Sequence, residues 1–99
     1  MIIVVGSFEL EPGQRDAFVA GRLDMMRRSR SETGCLEYTF CADPLEPGRV
    51  VLVERWEGQD ALDFHLVALR SAPAADSEIR PRSSSIVLYD VARERPFGR

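Results

Sequence analysis

The chain has no lysine and no asparagine, one histidine, one tryptophan and two cysteines. All 13 basic residues are arginine. A codon bias towards GC explains that choice as well as any physical demand does, so no functional reading rests on it. With a net charge of −3 and both signs well mixed along the chain, there is no concentrated basic face of the kind that neutralises nucleic-acid phosphates. No apolar run approaches the roughly 20 residues of a membrane helix. The short run at residues 2–5 lacks the basic flank and cleavage site of a signal peptide. The expectation is a soluble, cytoplasmic protein without nucleic-acid or membrane partners. Cys35 and Cys41 lie in one expected strand, about 20 Å apart at roughly 3.3 Å per residue, too far to pair within it. Two cysteines and a single histidine without close ligand spacing argue against a zinc site. Phosphate loop, dinucleotide fingerprint and serine elbow are all missing, so neither metal nor cofactor is expected.

What remains is 99 residues at 44% apolar content. That is enough for one domain over 1–99 burying roughly 65% of its unfolded surface, with a core over about 2–92 and a loose tail at 93–99. Residues 2–10 read as a strand ended by Pro12-Gly13. From 14 to 31 the period turns helical. On a wheel of about 100° per residue, Phe18, Val19, Leu23, Met25 and Met26 share one side, opposite Asp16, Asp24, Arg27 and Arg28. Gly34 is the expected helix stop. Residues 35–42 then alternate, with Leu36, Tyr38 and Phe40 on one face. Asp43-Pro44 and Pro47-Gly48 bracket a turn into a third strand at 49–57, Gly58 breaks it, and a helix follows at 59–70. A helical turn is expected after Pro73 and a last strand at 86–92.

The order βαββαβ defines a ferredoxin-like α+β fold, a four-stranded antiparallel sheet with its helices on one face. Yet the strands are apolar on both sides: Val50 and Leu52 against Val51 and Val53, Val87 and Tyr89 against Ile86 and Leu88. A sheet with one face in water alternates more cleanly. The expectation is a homodimer in which two sheets stack face to face.

The chemistry-bearing side chains concentrate between residues 32 and 65. His65 shares a helix face with Leu62, Leu66 and Leu69, where it could move a proton or serve as a core histidine satisfied by a carbonyl or by Glu54. Arg22 falls on the apolar side of the first helix, beside Phe18. It could bind a phenolate or enolate oxygen, or snorkel, or pair with a strand carboxylate. Glu54 shares a strand face with Leu52 and Trp56, and is there either paired or functional. Trp56 and Tyr38 could wall a flat substrate or simply belong to the core.

These residues resemble the antibiotic biosynthesis monooxygenase family over nearly the whole chain, from Ile2 to about Val91. The likeness rests on Pro12-Gly13, Phe18, Glu32, Gly34, Cys35, Leu36, Tyr38, Asp43-Pro44, Glu54, Trp56, Ala61, Leu62 and His65. It implies a dimeric α/β barrel with one pocket per subunit. For the oxygenase branch it implies oxidation of an aromatic polyketide, anthrone or small quinol by dioxygen, without metal or flavin. His65 would then carry the proton and Arg22 or Tyr38 would steady the oxyanion. Trp56 would stack on the ring, and Glu54, Phe18 and Leu62 would complete the substrate wall. The haem-degrading branch places an asparagine in the first strand, where this chain has Gly6 or Ser7. The alternative is a non-catalytic dimer of the same fold that binds a small molecule or serves an accessory role.

Overall fold

Period-two alternation produces four eight-residue strands in the computed structural model of the protein, which describes residues 1–72 and 79–98. They are β1 (Ile2–Glu9), β2 (Cys35–Ala42), β3 (Arg49–Trp56) and β4 (Ser83–Asp90), joined antiparallel in the order β2-β3-β1-β4. Helices α1 (Arg15–Ala20), α2 (Leu23–Arg30) and α3 (Gln59–Ser71) supply the second layer, and a short 3₁₀ turn at Pro12–Gln14 leads into α1. The ferredoxin-like order expected from the sequence is the one the chain adopts. The helical turn expected after Pro73 falls on residues 73–78, outside the described residues.

Register decides which side chains meet the helices. Val4 and Tyr38 flank Glu54, while Gly6 and Phe40 flank Leu52. These positions, with Ile2, Val50 and Trp56, form the buried layer that Phe18, Met26 and Leu62 close from above. On the reverse face Val5 pairs with both Val53 and Val87, and Ile3 pairs with Tyr89. Val5, Val87 and Tyr89 are 37%, 44% and 52% exposed, an apolar face left open in the single chain.

Three departures from the expected pattern have local causes. The helix expected over 14–31 is broken at Gly21-Arg22, where the Arg22 amide donates to Val19, only three residues back, before Met26 resumes by donating to Arg22. Glycine is a poor helix former, and the tightened turn leaves Arg22 at the junction. In β2 an irregularity between Cys35 and Glu37 adds a residue to the strand, so Leu36 is 42% exposed instead of joining the Tyr38 and Phe40 face. Finally β4 begins at Ser83, because Ser83, Ser84 and Ser85 pair with Glu9, Phe8 and Ser7 despite carrying no apolar signal.

Helix α2 also finishes the β2 edge. The Phe40 amide donates to Met26 Sδ at 3.5 Å, Arg30 Nε donates to the Tyr38 carbonyl at 2.8 Å, and Arg30 Nη2 donates to Thr39 Oγ1 at 3.0 Å. Edge groups satisfied in this way are unavailable to another strand.

The connection from α2 to β2 turns on Gly34, whose φ of +84° lies in the left-handed region and whose added Cβ would stand 2.6 Å from the Ala61 Cβ. Backbone strain and the clash act together there. Gly34→Ala is expected to lower the unfolding free energy by roughly 2 kcal/mol or more. Urea denaturation measures it, and an unchanged midpoint would contradict the account.

Candidate active site

A cavity of about 490 Å³ lies between the helices and the sheet. Its walls come from β1 (Val4, Phe8), α1 and the junction (Phe18, Arg22), α2 (Met25), β2 (Tyr38, Phe40), β3 (Leu52, Glu54), α3 (Leu62, His65, Leu66, Leu69) and the β4 side (Pro81, Ile86, Leu88). Six of the seven residues expected at a site, His65, Arg22, Tyr38, Glu54, Phe18 and Leu62, therefore share one wall system. Trp56 is fully buried and does not line the cavity. It sits behind the wall, its ring centroid 4.6 Å from that of His65 and 6.4 Å from that of Tyr38. The aromatic surface facing the cavity is instead Phe8, Phe18, Phe40 and Tyr38.

His65 is 1% exposed and its Nδ1 lies 2.6 Å from Glu32 Oε1. The partner is neither a carbonyl nor Glu54. A carboxylate only accepts, so with Glu32 ionised the hydrogen sits on Nδ1, and Nε2 keeps its lone pair with no hydrogen bond among the described residues. That is the orientation a proton acceptor needs, with a carboxylate behind it to balance an imidazolium. Glu32 itself escaped the sequence reading as a site residue. It stands 33 positions from its partner, and no local periodicity links the two.

Glu54 accepts a 2.9 Å hydrogen bond from the Trp56 indole on Oε1. Burial pushes its carboxyl above the ordinary glutamate range, while the indole and the nearby His65 pull the other way. Burial likewise raises Tyr38, the Glu54 charge adds to the effect, and a polar contact with the buried Ser29 opposes it. Tyr38 thus remains a neutral phenol able to donate. Its ring is 5.1 Å from that of His65.

Arg22 makes no ion pair among the described residues. Its guanidinium carbon stands 3.9 Å over the centre of the Phe18 ring, and its Nη1 is buried without any hydrogen-bond partner. Desolvation depresses its pKa, and Tyr38 opposes that shift. The structural ion pair with a strand carboxylate weighed from the sequence is not formed among the described residues, and the cation faces a mostly apolar cavity.

Sheet order, helix layer and cavity together define a ferredoxin-like α+β protein with a cavity under its helices. The sequence profile described as antibiotic biosynthesis monooxygenase matches residues 1–68, and the chain belongs to that family. It is 34% identical over 64 residues to the uncharacterized protein sll1783 of Synechocystis, a match spanning 65% of this chain and 44% of that protein, under half of the relative's length. It is 26% identical over 65 residues to the Bacillus subtilis protein named "Putative monooxygenase YcnE", covering 66% of this chain and 68% of that one. A Deinococcus radiodurans structure described as a candidate antibiotic biosynthesis monooxygenase superposes with a TM-score of 0.83 over 99% of both chains at 21% identity, a likeness of fold. No helix among the described residues is long and apolar enough to cross a membrane.

The raised Glu54 carboxyl has a consequence for stability. A folded-state pKa above the unfolded value means stability is fully present below the ordinary range, near 4.5, and is lost as pH rises through the folded value. Glu54→Gln removes that titration. Compared by urea midpoints from about pH 4 to about pH 8, wild type should therefore lose stability relative to Glu54→Gln as pH rises. A constant difference, or one moving the other way, would contradict the assignment.

Proposed function

We propose that the protein is a homodimeric, cofactor-independent monooxygenase that oxidises a flat, electron-rich aromatic compound of the anthrone, quinol or aromatic polyketide type with dioxygen. The observation that carries this reading is the pairing of His65 with Glu32 at 2.6 Å on the wall of a 490 Å³ cavity. His65 Nε2 removes the proton from the ring substrate, and Glu32 balances the imidazolium. Tyr38 or Arg22 donates to the substrate oxyanion, and the aromatic wall excludes water that would stabilise the anion elsewhere. The substrate anion gives one electron to dioxygen, the resulting radical and superoxide join as a peroxide anion, and the proton held on His65 returns to make it a hydroperoxide. Loss of water then leaves a new carbonyl. At an anthrone methylene, or at the corresponding CH2 of a quinol's keto tautomer, two C–H bonds thereby become C=O, one oxygen atom enters the product and the other leaves as water, so substrate and dioxygen balance without a further reductant.

Dissolved-oxygen consumption over a panel of anthrones and quinols, with and without chelator, tests the reading. Uptake is expected with at least one substrate and is expected to survive chelation. His65→Ala, checked for folding by circular dichroism, should lower turnover by roughly 10²–10⁴-fold. A folded His65→Ala variant that oxidises at the wild-type rate removes His65 from the mechanism. Ligand binding without any uptake would favour the non-catalytic binding protein.

The open face bearing Val5, Val87 and Tyr89 supports the dimer, since stacking two such faces hides apolar surface from water. Sedimentation equilibrium should return about twice the 11.1 kDa chain mass. Val5→Arg, which puts a charge at the centre of that face, should shift the protein to monomer. A wild-type monomer at micromolar concentration would refute the stacking.

A further inference from the structure

We infer that Arg22 selects an aromatic substrate that already carries an anionic oxygen group, of carboxylate or enolate type, before the reaction. The inference rests on the oxygenase reading for the position of the chemistry, and on separate observations for the anion. Arg22 Nη1 is the one buried side-chain nitrogen or oxygen among the described residues that lacks a hydrogen-bond partner. None of the ion pairs among those residues involves Arg22. Glu54, on the same cavity wall, is engaged with Trp56 and does not neutralise it. A guanidinium left this way is costly for the empty protein and favourable for whatever ligand supplies the missing acceptor.

The arrangement of rings says where that acceptor belongs. Arg22 lies on Phe18. From Phe18 the wall steps to Phe40 at 6.2 Å between centroids, from Phe40 to Tyr38 at 6.0 Å, and from Tyr38 to His65 at 5.1 Å. The cation and the imidazole thus border one aromatic wall, with apolar Phe8, Leu52 and Ile86 also lining the cavity. A fused system of two or three rings is of a size this cavity holds, and its anionic oxygen belongs beside Arg22. In so apolar a setting an anion gains far more from the cation than a neutral acceptor of the same shape. Arg22 then anchors a charge present before the reaction, and Tyr38, beside His65, serves the oxyanion formed during it.

The test is calorimetric titration under argon, where no turnover occurs, with 6-hydroxy-2-naphthoate, its neutral 2-carboxamide isostere and 2-naphthol. Wild type should bind the carboxylate roughly tenfold to a hundredfold tighter than the amide. Arg22→Met should abolish the preference, while Arg22→Lys should keep part of it. The wild-type ratio needs no variant, so a poorly folded Arg22→Met protein leaves the question decidable. A preference for 2-naphthol that rises as the phenol ionises, without one for the carboxylate, identifies the enolate type. Equal binding of carboxylate and amide with no such rise, no binding at all, or an unchanged preference in folded Arg22→Met overturns the inference. Because no oxygen is consumed, failure of the oxygenase reading appears only in the uptake assay, and failure of anion selection only here.

Discussion

An indole N–H carried into the core at Trp56 is the constraint from which the arrangement of the site follows. Trp56 is fully buried, and its ring brings apolar area together with one donor that must find an acceptor away from water. Glu54, two residues earlier and so on the same face of β3, supplies it at 2.9 Å. The acid is thereby buried as well and shifts towards its neutral form. Against the outer side of the same indole packs His65, whose polar nitrogen is answered from the α2–β2 connection by Glu32. Two linked polar pairs thus tie β3, α3 and that connection into one unit. Truncating one partner of either pair would leave a buried group unsatisfied, a loss of the order of 1–3 kcal/mol.

Most of the sheet is legible in the alternation of single strands. Val50, Leu52, Glu54 and Trp56 fall on one face by period alone, and all four are buried. The helix face of Leu62 and His65 is legible for the same reason. What could not be read depends on contacts distant in sequence or on local breaks in periodicity. Glu32 meets His65 only after the whole β2–β3 hairpin intervenes. The Leu36 outcome needs the strand irregularity, which shifts the period by one residue. The serines that begin β4 pair through their backbone, which no side-chain pattern reports. Trp56 was legible as a core aromatic and as a site aromatic alike; the Glu54 hydrogen bond and the His65 stack hold it one layer behind the wall.

The cavity exists because the helix layer is lopsided. α2 closes over β2 through Met26 and Arg30, sealing that edge, whereas every residue of β4 is exposed. Between the sealed and the bare halves the wall changes from packed core to open space, and Ile86 and Leu88 face the cavity from the uncovered side. A fully covered sheet of this size would have used the same residues as core. The kink at Gly21-Arg22 belongs to this asymmetry, since it sets a guanidinium at the junction of the two short helices, over Phe18.

The ionisable groups on this wall are not equivalent. His65 and Glu54 each have a hydrogen-bond partner inside the protein, Glu32 and Trp56 respectively. Among the described residues Arg22 has an aromatic face beneath it and no ion-pair partner. Cation–π contact holds the group in place yet leaves Nη1 without a partner, and a neighbouring ring cannot neutralise a charge as a carboxylate does. A cavity built this way is incomplete electrostatically without a ligand, and the deficit has a definite sign and location. The same apolar lining that makes the empty state costly removes the water that would otherwise screen an incoming anion. Selectivity and pre-organised stabilisation of charge therefore arise from one feature, a partly buried cation with one enclosed nitrogen, set in place before its counter-ion arrives.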